Sequence, residues 1–320
     1  MDERVLSPVL IATYSRLEHL KKTITTLQKN VLAEQTDLYI ASDYQQSETD
    51  AQKVAEVREY LKVIDGFKSV TIFSREKNLG AAENTFSALD IILAKHDRFI
   101  LMEDDIVTAP GFLSFINKGF DKYGDNEKLF SITGYCPPIT IPATYGYDAI
   151  FLGRMNAWGC ALTKEKYESV PRHITKQEYN AILSNKKLRA SIARNGQDLP
   201  VMLNKMAEDS LDAWDVRCMY IQFVNNQYTL YPSQSLVQNI GFDGTGQHCG
   251  KTKRWDVSLR DKTTFNFPTE VSLQQTIVKR YQIFMNEPFN RSHYSKRMMS
   301  AARGVAGSIM NKWRSKKPTY

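Results

Sequence analysis

Three consecutive carboxylates are the strongest candidates for chemistry in this sequence. Glu103, Asp104 and Asp105 directly follow the apolar run 99–102. Carboxylates this close together repel one another, which costs stability unless a positive charge lies beside them. Mg²⁺ and Mn²⁺ prefer oxygen ligands and keep water and phosphate oxygens in their shell, so one or two carboxylates are sufficient. The triplet therefore predicts a divalent cation that holds a diphosphate. The alternative is an acidic turn that caps a helix beginning near 109–111.

The segments before the triplet alternate between strand and helix patterns. Apolar runs predict strands over 9–13, 37–42, 69–73 and 98–102, and helical spacing predicts helices over 16–29, 49–64 and 81–94. Repeated β-α units with short loops are typical of an α/β fold with a parallel, doubly wound sheet. Ligands of such sheets bind beyond the carboxyl ends of the strands, where the triplet lies. This position favours the cation site over the helix cap, and it draws attention to the polar segments 13–16, 42–43 and 74–78.

The pattern after the triplet is more varied. Residues 130–165 indicate strands and loops, 166–222 indicate helices with a break near 196–200, 228–231 indicate a strand, and 270–287 indicate a helix. Glycines recur through 241–250, and their backbone freedom suits a loop that moves.

The bulk composition limits the class of protein. Of the 320 residues, 42% are hydrophobic, which is enough for one large α/β domain with a helical appendage. The four cysteines lie far apart without a CxxC pair, which predicts neither a zinc site nor a disulfide framework and indicates a reducing, cytoplasmic setting. No window of about 18 apolar residues predicts a membrane-spanning helix, and the first residues lack the pattern of a secretory signal.

The net charge of +7 is concentrated near the end of the sequence. Residues 296–317 contain seven basic residues and no acidic ones, so the remainder is close to neutral. This distribution argues against a general nucleic-acid binder and indicates a basic tail. Spacing near 3.6 places apolar residues, Trp313 among them, on one helix face, which is typical of a helix lying on an anionic membrane surface. The alternative is a helix packed on the core with a solvated basic face.

The triplet and its surroundings resemble a known family. The segment 99–112, FILMEDDIVTAPGF, is similar to the metal-binding segment of GT-A glycosyltransferases, in the Glu-Asp-Asp variant of N-acetylglucosaminyltransferase I and bacterial polysaccharide enzymes of the family 2 type. The resemblance implies a GT-A fold, which is a mixed, mostly parallel sheet flanked by helices. It also implies that Asp105 binds Mn²⁺ or Mg²⁺, that Asp104 lies beside the metal or the ribose, and that Glu103 contacts the donor.

Other segments between residues 6 and 250 carry the same resemblance. The segment 8–16, PVLIATYSR, is similar to the family's first strand, whose end grips the nucleotide, and it implies donor contacts for Thr13, Tyr14 and Arg16. Further donor contacts are implied at Asp43, near the base, and at Arg75, Asn78 and Gly80, near the ribose and diphosphate. The segment 156–162, NAWGCAL, resembles the part that shapes the acceptor side, at Trp158 and Gly159; a core position for Trp158 is the alternative.

A carboxylate is also needed to take the proton of the acceptor hydroxyl. The segment 211–217, LDAWDVR, resembles the family's acidic helix start, which implies Asp212 as the catalytic base and Asp209 as the second choice. Asp215 is three residues from Asp212 and would share a helix face with it. The alternative is that these acids only favour a helix N-terminus electrostatically.

The Gly-rich segment resembles the family's loop that orders over the donor. Several members complete the metal shell with a late histidine, which implies His248 as a second ligand; a surface histidine is the alternative. Lys251 and Lys253 follow at once and could meet phosphate charge as the loop closes, or they form a solvated basic stretch.

Together these features predict a glycosyltransferase domain over 1–268, with a donor-binding half at about 1–110 and an acceptor half at about 111–268, followed by C-terminal helices over 269–320. The resemblance implies an inverting enzyme that moves a sugar from a nucleotide-sugar, with UDP as the expected nucleotide, to a saccharide or glycolipid acceptor in surface polysaccharide synthesis. It is expected in the cytoplasm, on the inner face of the membrane. The alternatives are a sugar-nucleotide nucleotidyltransferase, although the loop 14–17 lacks glycine, and a non-catalytic carbohydrate-binding domain of the same fold.

Overall fold

The computed structural model of the protein describes residues 5–211, 213–245 and 250–287. Its first part alternates strands and helices as predicted, and each boundary lies within three residues of the predicted one. The elements are β1 (Val9–Thr13), α1 (Leu17–Gln28), β2 (Asp37–Ser42), α2 (Glu48–Leu61), β3 (Ser69–Ser74), α3 (Gly80–Leu93) and β4 (Arg98–Glu103).

The second part contains shorter elements. They are β5 (Ile106–Thr108), α4 (Phe112–Tyr123), β6 (Leu129–Thr133), β7 (Ala149–Leu152), β8 (Cys160–Thr163), α5 (Lys164–Glu168), α6 (Lys176–Ser184), α7 (Lys186–Arg194), α8 (Asp198–Ala207), α9 (Trp214–Val224), β9 (Tyr228–Pro232), β10 (Val237–Asn239) and α10 (Gln275–Asn286). The predicted helical stretch 166–222 is thus divided more often than expected. One unpredicted division lies at Asn185, whose side chain accepts the backbone N–H of Leu188 and caps α7.

Eight of the strands form one sheet in the order β3-β2-β1-β4-β8-β6-β9-β7. The pairs β1–β2, β2–β3, β1–β4 and β6–β9 are parallel, whereas β4–β8, β6–β8 and β7–β9 are antiparallel. The fold-class prediction, an α/β fold with a mixed and mostly parallel sheet flanked by helices, is confirmed. The parallel arrangement expected from the β-α units before the triplet is found among β1 to β4.

Helices cover both faces of this sheet. One core contains Ile100 and Met102 of β4 and side chains of α1 and α4. The opposite core contains Phe99 and Leu101 with side chains of α3 and α9. Because successive strand residues point to opposite faces, continuing this alternation sends Glu103 toward α9 and Asp104 toward α1.

A separate two-stranded sheet brings the Gly-rich loop to the acidic triplet. β10 pairs antiparallel with β5, and Asn239 lies opposite Ile106. The chain leaves β10 directly beside the residues that precede β5, and the backbone N–H of Ile240 donates to the carbonyl of Asp105 at 2.9 Å. This pairing joins segments that are far apart in the sequence.

The chain divides into a compact unit, Met1–Met285, and a second unit, Asn286–Tyr320. The basic tail at 296–317 lies outside the described residues, so its helix stays a prediction. Among the described helices, none is long and apolar enough to cross a membrane. The predicted domain boundary at 268/269 also stays a prediction; α10 contributes Ile277, Val278 and Tyr281 to a small core with β7 and β9.

Candidate active site

The carboxyl ends of β1 and β4 form the centre of the candidate site. The two strands are adjacent and parallel, with Ala12 opposite Glu103. The Thr13 hydroxyl donates to Oδ2 of Asp104 at 3.0 Å, and the Thr23 hydroxyl of α1 donates to the Asp104 carbonyl at 2.8 Å. The predicted donor residue Thr13 therefore holds one of the three acids in place.

Arg16 lies between two of the carboxylates. Its Nη2 donates to Oδ1 of Asp104 and lies 2.8 Å from Oδ2 of Asp105. Asp104 and Asp105 are each only 4% exposed, so this is a largely buried ion-pair cluster. Burial lowers the pKa of the Arg16 guanidinium, but the two carboxylates together have the larger effect and raise this pKa. Arg16 thus supplies positive charge to two of the three carboxylates, a role that the sequence pattern did not predict.

One oxygen of Asp105 receives no hydrogen bond from the part of the chain that the structure describes. This oxygen, Oδ1, is buried, while Oδ2 faces Arg16. Burial raises the pKa of Asp105 and the charge of Asp104 adds to the rise, although Arg16 opposes both effects. An orphaned buried carboxylate oxygen is costly, and a cation would satisfy it.

The donor set fits a divalent cation that brings further ligands with it. Within the described ranges, no group of three or more His, Cys, Asp or Glu side chains is arranged to hold a metal ion. Mg²⁺ and similar ions are commonly bound by one or two carboxylates with substrate phosphates and water in the remaining positions. Asp105 matches that mode of binding, and Asp104 lies beside it with its two oxygens engaged by Thr13 and Arg16. The second predicted ligand, His248, lies outside the described residues.

The Gly-rich loop packs tightly on Asp105. A Cβ atom placed on Gly241 would lie 2.1 Å from Oδ2 of Asp105 and 3.1 Å from Nη1 of Arg16. No side chain larger than hydrogen fits there without displacing the ion pair. The first residue of the Gly-rich segment therefore lies against Asp105 and Arg16; the role of the loop over a donor stays a prediction. Its lysines, Lys251 and Lys253, are exposed.

Glu103 interacts electrostatically with Asp215 of α9 as well as with the other two acids of the triplet. The surrounding protein desolvates the Glu103 carboxyl and raises its pKa to about 8; the charges of Asp105, Asp215 and Asp104 add to the rise, and that of Arg16 opposes it. Asp215 lies in the first turn of α9 and is partly buried. Burial raises the pKa of Asp215, and the charge of Arg154 opposes that rise. Carboxyl groups from both β4 and α9 thus interact here, and each favours the protonated form of the other.

Arg154 is a buried residue that sequence analysis missed. It forms a bidentate pair with Asp198 of α8, at 2.9 and 2.8 Å, and donates to the Asn195 carbonyl at 3.1 Å. Gly196, at φ +147°, leaves room for the guanidinium, since a Cβ there would lie 2.1 Å from Nη1. The only signal in the sequence was the predicted helix break near 196–200, which marks this position without indicating its partner.

Asp43 organises the loop that leads into α3. Its carboxylate accepts the backbone N–H groups of Tyr44 at 2.8 Å, Leu79 at 2.9 Å and Gly80 at 2.9 Å, and the side chain of Asn78 at 3.3 Å. Gly80 has φ +76°, which favours glycine. The predicted donor residues Asp43, Asn78 and Gly80 are therefore brought together, and their mutual contacts fix the loop.

Two other predicted donor residues contact protein groups. Arg75 donates to the side chains of Asn84 at 2.9 Å and Ser87 at 2.9 Å, both on α3. The Tyr14 hydroxyl donates to Asp50 at 2.9 Å and accepts the backbone N–H of Gln46 at 2.8 Å. These contacts join the ends of β1 and β3 to the neighbouring helices.

Trp158 belongs to an aromatic cluster. Its partly buried ring contacts Tyr135, Phe242 and Trp255 edge to face, with ring centroids 4.5, 5.4 and 5.8 Å apart. Phe242 comes from the Gly-rich loop, so Trp158 packs against that loop. Gly159 has φ +59°, and a Cβ there would lie 3.0 Å from Phe112. The cluster joins the predicted acceptor side to the loop.

The predicted bases are only partly covered by the structure. Asp212, the first choice, lies outside the described residues. Asp209 is exposed and has φ +53° directly after α8. Because α9 begins at Trp214, Asp215 is in its first turn.

No family model matches the chain, and no curated protein matches it. Among solved structures, the chain is similar to the mannosyltransferase PcManGT from Pyrobaculum calidifontis in complex with GDP-Man and Mn²⁺, at 10% identity and a TM-score of 0.39, covering 69% of each chain. It is also similar to TarS from S. aureus, at 12% identity and a TM-score of 0.36, covering 71% of this chain and 36% of TarS. A TarS 1–349 complex with UDP-GlcNAc gives 12% identity, a TM-score of 0.37 and coverage of 73% and 57%. The match spans only about a third of TarS, and similarity at this level assigns neither family nor activity.

Proposed function

We propose that this protein is a metal-dependent glycosyltransferase that moves a sugar from a nucleotide-sugar donor to a saccharide or lipid-linked saccharide. The observation that carries the proposal is the buried Oδ1 of Asp105 at the carboxyl edge of β4, which has no hydrogen-bond partner among the described residues. Ligands of open α/β sheets bind at this edge. The sequence resemblance of 99–112 to the metal-binding segment of GT-A enzymes supports the same assignment.

Asp105 would hold the cation, Asp104 would lie beside it, and His248 is the proposed second protein ligand. A bound Mn²⁺ or Mg²⁺ supplies electrostatic stabilisation of the charge that develops on the leaving diphosphate. The protein positions Asp105 for this task through Gly241, which packs against one oxygen, and through the backbone bond from Ile240 to its carbonyl. The carboxylate is thereby fixed before any ligand arrives.

The donor would lie along the carboxyl ends of β1, β2 and β4. The loop 78–80 is held by Asp43 and leads into α3, so its shape is fixed independently of the donor. Tyr14 and Arg75 are held by α2 and α3 in the same way. We propose that these residues shape the donor pocket, with Lys251 and Lys253 available to meet phosphate charge.

Transfer with inversion requires one base and no covalent intermediate. We propose that the base comes from the segment 209–215, where Asp212 is the first candidate and Asp209 the second. Asp215 supports this position of the base, because its charge acts on the pKa of Glu103 and one end of the segment therefore lies near the acidic triplet. A correctly placed carboxylate contributes about 10² to 10⁴ in rate.

The cellular setting is also a proposal. The basic, apolar-faced segment 296–317 would hold the enzyme on the anionic inner face of the membrane, where a lipid-linked acceptor for surface polysaccharide is presented.

The proposal is tested by a screen of nucleotide-sugars with Mn²⁺, in which donor turnover and the released nucleotide are measured. We expect one donor to be turned over with release of nucleoside diphosphate, and we expect Asp105→Asn to abolish that turnover while the variant remains folded. Release of pyrophosphate would identify the nucleotidyltransferase alternative. Binding of saccharide without turnover of any donor would identify the carbohydrate-binding alternative. Undiminished transfer by Asp105→Asn with all divalent ions chelated would contradict the metal role.

A further inference from the structure

We propose that Arg16 is the resident counter-ion of Asp104 and Asp105, and that it competes with the divalent cation for these carboxylates. The inference rests on the proposed function, because it concerns the same cation site. It gives Arg16 a role in metal binding: the cation binds to the carboxylates as Arg16 is released from them.

The contacts of the two carboxylates carry the argument. Asp104 accepts Thr13 at one oxygen and Arg16 at the other, so both of its oxygens are engaged. Asp105 faces Arg16 with Oδ2, and no residue in the described ranges donates a hydrogen bond to its Oδ1. One guanidinium nitrogen therefore contacts two buried carboxylates, and this contact does not satisfy all of their oxygens.

A cation bound to Asp105 would change this balance. A divalent ion at Oδ1 places two positive charges beside a guanidinium that already contacts the other oxygen of the same carboxylate. At such distances like charges repel strongly, especially where water is largely excluded. Occupancy of the metal site therefore weakens the contacts of Arg16, and the contacts of Arg16 weaken metal binding.

Arg16 is free to respond because of its position in the chain. It precedes the first residue of α1, has φ −108° and ψ 70°, and its side chain is 25% exposed. It can leave Asp105 without unfolding a helix turn. An arginine fork matches phosphate oxygens well. A released Arg16 would thus be available to the diphosphate, which would couple cation and donor binding.

The test measures the affinity of the full-length protein for Mn²⁺ alone, by calorimetry or by the electron spin resonance of free Mn²⁺. We expect Arg16→Gln to bind Mn²⁺ about ten- to a hundredfold more tightly than the unmodified protein, since a charge-assisted contact to the carboxylates has been removed. Lys62→Gln is the matched control: it removes one exposed positive charge at the C-terminal end of α2, where Lys62 pairs with Glu59, and should leave the affinity unchanged.

Two more variants keep the result interpretable. Arg16→Lys retains the charge but lacks the fork, so its affinity for Mn²⁺ should lie between that of the unmodified protein and that of Arg16→Gln. It replaces Arg16→Gln if that variant does not fold. Asp105→Asn should abolish Mn²⁺ binding in both backgrounds. Unchanged or weaker binding by Arg16→Gln, with normal binding by the unmodified protein, would overturn the competition alone. Absence of Mn²⁺ binding by all variants would overturn the metal site itself, and with it this inference.

Discussion

The imidazole of His19 lies 3.1 Å from the carboxylate of Asp243, and this contact joins α1 to the Gly-rich loop. Asp243 also accepts the side chain and backbone N–H of Thr245, at 2.7 and 2.9 Å. These two hydrogen bonds, with the charge of His19 adding to them, lower the pKa of Asp243 to about 2. The loop that packs against Asp105 is therefore held at two points, Gly241 and Asp243.

Breaking the His19–Asp243 contact should loosen the loop without unfolding the protein. In Asp243→Asn, we expect faster amide hydrogen exchange at 242–245 than in the unmodified protein, because the attachment to α1 is lost. The melting temperature should change by about 2 °C or less, since exposed ion pairs contribute little to global stability. Hydrogen exchange with mass spectrometry checks both loop and core peptides. Equal exchange at 242–245 in the two proteins would show that the contact does not restrain the loop.

Gly241→Ala should disrupt the site through a steric effect. The added methyl would lie 2.1 Å from Oδ2 of Asp105, so either the loop or the ion pair must move. We expect a loss of donor turnover of about a hundredfold and a loss of about 1–3 kcal/mol in the free energy of unfolding, as for an overpacked interior. Gly146→Ala is the control, because nothing lies within 4 Å of a Cβ at that position. Full activity of Gly241→Ala would show that the loop lies elsewhere during turnover.

The raised pKa of Glu103 predicts an unusual pH dependence of stability. The pKa rises from an ordinary 4.5 to about 8, so the folded state favours the protonated carboxyl. This contribution to stability is complete below pH 4.5 and is lost progressively as the pH rises toward 8. Glu103→Gln removes the charge, so the variant should be more stable than the unmodified protein at pH 9, and the two should converge near pH 5.

Urea unfolding at several pH values measures this difference. Glu18→Gln is the control, since Lys21 lowers the pKa of exposed Glu18 and the effect has the opposite sign. No stability gain from Glu103→Gln at pH 9 would contradict the desolvation of Glu103.

Parts of the fold were predictable because they depend on local pattern. The β-α alternation up to β4 follows from hydrophobic periodicity, and the placement of Glu103, Asp104 and Asp105 at a ligand-binding edge follows from that alternation. The order of the second half was not predictable, because β8 inserts between β4 and β6 and its short run of three apolar residues and a threonine fits several structures. Short apolar runs carry no information about their partners.

The site was predictable as a neighbourhood and not as a set of contacts. Thr13, Arg16 and the acids were expected to lie together, and they do. The bridge made by Arg16 and the use of Asp43 to hold 78–80 depend on three-dimensional hydrogen bonds between residues about 35 to 90 positions apart. Gly241 is one example of a contact that the sequence did not reveal. A glycine is needed at this position because Asp105 approaches closely, and not because of a special backbone angle.

The identity of the base can be decided by comparing three substitutions, Asp209→Asn, Asp212→Asn and Asp215→Asn. We expect Asp212→Asn to reduce kcat by about 10² to 10⁴ with little change in donor KM, because the proton acceptor is lost while donor binding remains. Asp209 is exposed at the end of α8, so its substitution should change kcat less than about threefold.

Asp215→Asn has a separate signature. Removing this carboxylate takes away one of the charges that raise the pKa of Glu103, so the stability of the variant should depend less on pH between 5 and 8 than that of the unmodified protein. If Asp215→Asn, and not Asp212→Asn, shows the large loss in kcat, Asp215 is the base. In that case Arg154, whose charge opposes the rise in the pKa of Asp215, keeps the base ionised, and Arg154→Met should shift the acidic limb of the rate profile to higher pH.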